Sequence, residues 1–336
     1  MYRTLALSLA LVASGGCAVL ERATESRTRK LAREGVQKHS AEVNGDHIEY
    51  WDGGHGDEVV LLLHGFGGDA LFQWFPQMRA LSEQHRLIAP DLLWFGDSHS
   101  QTRDFSVQYQ ANAVNRLLDE LGVERAHIVG LSYGGIVTHE LLAQAPERFD
   151  RVVLVSSPGR AFVADDKTED LKRLGADSAQ DVLLPRDHES LKRLMSLAYH
   201  DPPWVPRFAA RQVVARFYAA RRTEQVALLN GIEAHTQRHR SEHAAPQNDT
   251  LIVWGEHDRI FPESAAWRLR RELGEHARAC VLENAAHAPH LERERDVTPL
   301  LLGFLAEGRV ECAGRTTELP SVAEHADPDR RSPLRP

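Results

Sequence analysis

Ala126-His127-Ile128-Val129-Gly130-Leu131-Ser132-Tyr133-Gly134-Gly135-Ile136 is the stretch from which the rest of the chain is read. Its first four residues are apolar and partly β-branched, which predicts a buried strand. Ile136 to Ala145 predicts a helix. Between them stands a serine flanked by glycines. Gly130 and Gly134 have no Cβ, so strand and helix can approach closely while Ser132 takes a strained backbone conformation. The hydroxyl is then held at the end of a strand with a helix N-terminus beneath it. Gly and Ser are common, so a plain turn is the more frequent explanation of an isolated match of this kind. A nucleophile needs a base, an acid and oxyanion donors, which the remainder of the chain must supply.

Composition sets the frame for that search. The 336 residues are 42% hydrophobic and 26% charged, as expected of one large α/β domain or of a domain with an insertion. Lys and Arg number 40 against 48 Asp and Glu, a net charge of −8, and no basic block stands out. Nucleic acid is therefore not an expected partner.

The N-terminus predicts export. Met1-Tyr2-Arg3 is a short positive start, Thr4 to Ala13 is apolar, and Ser14-Gly15-Gly16-Cys17 follows. The apolar run is too short for a comfortable transmembrane helix. Small residues ending in cysteine resemble a bacterial lipoprotein signal, which implies lipidation of Cys17 and a lipid anchor at the cell envelope. Ser14 departs from that pattern, which usually has Leu there, so an ordinary secretory signal remains as the alternative. Residues 18–38 are polar and read as a tether or a peripheral helix. Export leads to an oxidising compartment. There Cys280 and Cys312 could pair and pin the C-terminal segment, or remain separate thiols.

Taken in order, the core alternates strands with helices. His39 to Asp52 is a hairpin around Asn44-Gly45-Asp46. Glu58 to Leu63 is a continuous apolar run, as for a strand buried on both faces of a parallel sheet, and it ends in His64-Gly65-Phe66-Gly67-Gly68. A helix over Ala70 to Gln84, a strand over Arg86 to Pro90, the loop Asp91 to Ser98 and a helix over Val107 to Leu121 follow. Arg151 to Val155 is a further strand. From 159 to 247 the alternation stops, and the sequence turns helical and charged. Helices are predicted over Asp187–Tyr199, Pro206–Ala220 and Thr223–His239. Leu194, Met195, Leu197, Trp204, Phe208, Phe217 and Tyr218 would make this insertion's inner side largely apolar. His235, His239 and His243 are spaced to share one helix face, which reads as a solvated face before it reads as a metal site. Asp249 to Trp254 resumes the strand pattern and leads into Gly255-Glu256-His257-Asp258. Ala279 to Leu282 is the last strand, followed by Asn284-Ala285-Ala286-His287-Ala288-Pro289-His290 and a final helix from Leu291 to Leu305.

The elbow at Ser132, the His-Gly loop, the Gly-x-x-Asp segment and the late His lie in one order. Together they resemble the serine α/β-hydrolase superfamily, capped branch, over about Val43 to Leu305. That resemblance implies the α/β-hydrolase fold: a mostly parallel central sheet, helices on both faces and a helical cap inserted before the acid-bearing strand. The expected division is a signal at 1–17, a tether at 18–38, core at 39–158, cap at 159–247, core at 248–306 and a disordered tail at 307–336. The resemblance further implies Ser132 as nucleophile, His287 as base and Asp258 as acid, with Glu256 as the reserve acid. The backbone N–H groups of Phe66 and Tyr133 would be the oxyanion donors. It assigns His64 to support of its loop; Asp91 and Asp97 themselves read as loop structure, Trp94 as packing or an acyl pocket, and His290, which opens the final helix, as a surface or helix-capping residue. The implied reaction is hydrolysis of carboxylic esters, esterase- or lipase-like, on a small-molecule or lipid ester, with neither cofactor nor metal. Two rivals remain: C–C bond hydrolysis by the same triad, and a non-catalytic lipid-binding scaffold. Epoxide hydrolases and haloalkane dehalogenases of this fold use Asp where Ser132 stands.

Overall fold

The structure, a computed structural model, describes residues 19–161, 169 and 171–316. The expected signal at 1–17 with Cys17, residues 162–168 and 170 of the insertion, and residues 317–336 of the tail lie outside the described residues. Helix α1 (Val19–Arg33) buries Leu31 and leads at once into the hairpin β1 (Val36–Val43) and β2 (Asp46–Gly54). Of the two readings of this segment, tether or peripheral helix, residues 19–33 follow the helix, and the first strand begins three residues earlier than expected. Then come β3 (Val59–Leu63), α2 (Ala70–Leu81), β4 (Arg86–Pro90), the short β5 (His99–Ser100) and α3 (Val107–Glu120). The second half of the core has β6 (Ala126–Leu131), α4 (Tyr133–Gln144) and β7 (Phe149–Val155).

Among the described residues the insertion holds, after helical residues at 171–174, a short helix, Ala179–Leu183, and three longer ones: α5 (His188–Ala198), α6 (Arg207–Val214) and α7 (Arg222–Glu242). A π-helical turn, Ala215–Ala219, extends α6. The core resumes with β8 (Asp249–Gly255), α8 (Ser264–Leu273), β9 (Ala277–Leu282) and α9 (Glu294–Glu307). The strand order is β1-β2-β4-β3-β6-β7-β8-β9, with β5 paired to β2. The pairings from β4 through β9 are parallel, and those of β2 with β1, β4 and β5 are antiparallel.

The continuous apolar run of β3 has a direct packing reason. Successive strand side chains point to opposite faces. Val59, Leu61 and Leu63 enter one core with α3, α4 and α8, while Val60 and Leu62 enter the other with α2 and α9. Each face of the sheet is thus covered by helices, and every residue of β3 must be apolar. This is the mostly parallel, two-sided architecture expected. The parallel strands all point the same way, so Ser132, the loop after β3, and the segments after β8 and β9 collect at one edge.

Cys280 in β9 is disulfide-bonded to Cys312. Three residues on, Arg315 exchanges two backbone hydrogen bonds of 2.8 Å with Val281. Residues 307–316 are therefore fixed on the sheet edge, against the expectation of a disordered tail from 307 onward.

Candidate active site

Ser132 joins β6 to α4 with φ 50° and ψ −112°, a strained region for a residue with a Cβ. Its neighbours show why they are glycine. A Cβ on Gly130 would stand 2.4 Å from Thr138 Oγ1, and one on Gly134 only 2.3 Å from Leu63 O. The turn is clamped by Ser132 N–H, which donates to Val155 O at 2.9 Å.

Asp258 lies in the turn after β8, its side chain fully buried. One carboxylate oxygen, Oδ1, accepts the backbone N–H groups of Ile260 (2.8 Å) and Phe261 (3.0 Å). The other, Oδ2, is 2.8 Å from Nδ1 of His287, in the loop after β9. With a carboxylate as its partner, Nδ1 carries the proton. Nε2 is left as an acceptor, 3.0 Å from Ser132 Oγ. Three residues separated by up to 155 positions thus form one unbroken chain of hydrogen bonds.

The loop after β3 closes against this chain. A Cβ on Gly65 would come within 3.2 Å of Ser132 Cβ. Gln73 of α2 grips the Gly65 peptide on both sides: Oε1 accepts its N–H at 2.7 Å, and Nε2 donates to its C=O at 3.2 Å. Phe66 follows, its ring edge-on to Phe95 and Tyr133. Tyr133 is the first residue of α4, so its N–H has no partner within the helix. His64 is fully buried, and burial lowers its pKa. Its Nδ1 donates to Gly65 O at 2.8 Å and its Nε2 accepts Leu92 N–H at 2.9 Å. Both ring nitrogens are committed to loop structure.

Three residues brace the His287 loop that sequence reading misplaced or missed. His290 is expected at the surface or in a helix-capping position. It is buried against Trp74, and burial pushes its pKa down to about 3. It is therefore neutral, and its Nε2 donates to Gln73 O at 3.1 Å. Gln77 Nε2 donates to His290 O at 2.8 Å. The carboxylate of Glu292 accepts Ala286 N–H at 2.7 Å from the His287 loop and His200 N–H at 2.6 Å from the insertion. Burial raises the Glu292 carboxyl, and the N–H donors oppose that shift. Gln73 and Glu292 belong to no motif. Their partners are backbone groups, which leave no trace in residue spacing.

The remaining candidates resolve as follows. Glu256 faces Arg315 and His257, away from the chain of hydrogen bonds. Asp91 accepts Ala70 N–H at 2.9 Å, and burial beside Asp69 holds its carboxyl well above the ordinary range. Asp97 pairs with Lys38. Trp94 is buried against Phe105 and Tyr109 as packing. His235 is buried and lies 3.8 Å from Glu140, so the expected solvated histidine face is corrected at that residue. No group of three or more metal-ligating side chains occurs among the described residues.

The insertion covers the site with apolar residues. Leu191, Leu194, Ala210, Val214, Phe217 and Tyr218 cluster with Ile260, against which Phe66, Phe72 and Phe261 pack. Two residues expected on this inner side are not there: Trp204 and Phe208 are 78% and 41% exposed.

Comparison with known proteins places this arrangement in company. The alpha/beta hydrolase fold family matches residues 58–294. A dihydrolipoyllysine-residue acetyltransferase component of the acetoin cleaving system of Pseudomonas putida is 29% identical over 280 residues, 81% of this chain and 70% of its own. Lipase 3 of a Moraxella species is 28% identical over 243 residues, 71% of this chain and 74% of its own. Among solved structures, a bacterial membrane phospholipase A superposes with a TM-score of 0.72 at 27% identity, covering 86% of this chain and 91% of that one. The family match runs from the strand before the His-Gly loop through the loop that carries His287, and the chain belongs to the alpha/beta hydrolase fold family.

Proposed function

We propose that the protein is a serine hydrolase of carboxylic esters, acting on acyl-chain or other apolar esters through an acyl-enzyme on Ser132. The observation that carries this reading is the Ser132–His287–Asp258 relay, with links of 3.0 and 2.8 Å. A serine hydroxyl is too weakly acidic to attack an ester unaided at neutral pH. Nε2 of His287 takes the Ser132 proton as Oγ bonds to the carbonyl carbon, and Asp258 stabilises the imidazolium that results. The tetrahedral oxyanion is held by the N–H groups of Phe66 and Tyr133. The carbon–oxygen bond to the alcohol breaks as His287 returns the proton to the leaving oxygen. Water, activated by the same histidine, then releases the acid and restores Ser132. The apolar cluster above the site and the lipase-like relatives support an apolar acyl group.

The test is hydrolysis of p-nitrophenyl esters of increasing chain length, paired with fluorophosphonate labelling of Ser132. Turnover with labelling supports the reading, and the chain-length optimum separates esterase from lipase. Labelling without ester turnover favours the C–C hydrolase, and neither signal favours the non-catalytic scaffold.

Gln73 serves this reaction by holding the Gly65–Phe66 peptide in register with Ser132. Gln73→Leu keeps much of the bulk and removes both hydrogen bonds to Gly65. It is expected to lower kcat about 10²-fold with little change in KM, the cost of an oxyanion donor set about 1 Å out of place. An unchanged kcat would assign Gln73 to packing alone.

We propose also that Cys17 carries a lipid that anchors the exported chain to the cell envelope. Cys17→Ser is expected to move the protein from the membrane to the soluble fraction, and its retention there would overturn the anchor.

A further inference from the structure

Six tryptophans occur in the chain. Five are buried: Trp51, Trp74, Trp94, Trp254 and Trp267. Trp204 is 78% exposed, and the other large hydrophobic exposed among the described residues is Phe208, at 41%. They are neighbours in sequence, Trp204 just ahead of α6 and Phe208 in its first turn. Pro202, Pro203 and Pro206 stiffen the segment that carries Trp204. Helix α6 has two dissimilar sides. Ala210 and Val214 are buried in the apolar cluster over the site, while Arg207, Phe208, Arg211 and Ala215 face outward.

The charge along this segment, between Asp201 and Glu224, is one-sided. Residues 202–223 contain five arginines and no acid, in a chain of net charge −8. An aromatic pair beside exposed arginines has the composition of a helix that lies in the interface of an anionic bilayer. Tryptophan is favoured there because its ring is apolar while its N–H reaches water.

The position of the N-terminus points the same way. Leu20 N–H donates to Gln212 Oε1 of α6 at 3.1 Å. Gln212 stands one helical turn from Phe208, on the same strip of the helix. On the anchor reading the apolar run is removed with the signal, and the lipid-bearing Cys17 stands two residues from Val19, a reach of about 7 Å at most. Whatever the N-terminal segment enters therefore lies near the outer face of α6.

We propose that the outer face of α6, with Trp204, Phe208, Arg207 and Arg211, docks on an anionic lipid bilayer. Docking there sets the insertion, and the site beneath it, against the membrane. The proposal draws support from the membrane-anchor reading, and the experiment separates the two. The full chain is mixed with vesicles of phosphatidylglycerol or of phosphatidylcholine whose acyl chains carry bromine. Vesicle-bound protein is expected to lose fluorescence on the anionic vesicles. Trp204→Phe is expected to abolish that quenching, since the other five rings are buried, and to leave hydrolysis of a soluble ester unchanged. Arg207→Glu with Arg211→Glu is expected to lower the quenched fraction about tenfold. Protein that binds vesicles with Trp204 still open to aqueous iodide would overturn the docking face while leaving the anchor standing. No vesicle binding would overturn both. Shielding of Trp204 that rises with protein concentration in vesicle-free buffer would overturn the lipid partner in favour of a second copy of the chain.

Discussion

Ser132→Ala is expected to bring p-nitrophenyl ester hydrolysis down about 10⁶-fold, to the level that binding and the oxyanion donors alone provide. The size follows from what the hydroxyl does. In the proposed mechanism it is the atom that bonds to the acyl carbon, and no other nucleophile stands within hydrogen-bond reach of His287 Nε2 among the described contacts. The substitution removes one oxygen and keeps the Cβ, so the turn at φ 50° is retained. Fluorophosphonate labelling should vanish with activity, while the thermal unfolding midpoint stays near that of the wild type. Persistence of turnover above about one part in 10³ would assign the chemistry to another group.

Asp258→Asn is the second large effect, and its mechanism is a tautomer exchange. Oδ1 is committed to the N–H groups of Ile260 and Phe261. An asparagine must therefore keep its carbonyl oxygen at that position and turn its NH₂ toward His287. Nδ1 then has to accept, so the ring proton moves to Nε2, where it faces Ser132 Oγ. A protonated Nε2 cannot take the serine proton. The expected cost is about 10⁴-fold in kcat with substrate binding preserved. A loss below about tenfold would remove Asp258 from the relay and reopen the question of the acid.

Much of this site is legible in the sequence because close packing restricts residue type. Gly130 and Gly134 are needed where a Cβ would strike Thr138 or the β3 backbone, so the serine turn announces itself. The apolar run of β3 is equally readable, since both faces of that strand are covered. What sequence cannot supply is the partner of a side chain that bonds to backbone. Gln73, His290 and Glu292 hold the two loops around the serine through main-chain atoms up to 217 positions away, and nothing in their local pattern marks them. The same limit explains Trp204 and Phe208. Hydrophobicity predicted an inward position, but α6 spends its inner side on Ala210 and Val214 and leaves the aromatic pair outside.

The Cys280–Cys312 bond bears on the order in which the molecule is completed. It spans 32 positions and ties the last strand of the sheet to a segment beyond the last helix. Synthesis delivers residue 312 only after every element of the triad has been made. The covalent closure can therefore form only after the residues of the triad have been made, and it requires an oxidant. A chain held in a reducing compartment can assemble Ser132, His287 and Asp258 and still lack the strap over β9, an edge strand whose unpaired backbone is the kind that recruits other chains. Closure of the Ser132–His287–Asp258 relay and covalent protection of the sheet edge thus have separate requirements, one of packing and the other of oxidation.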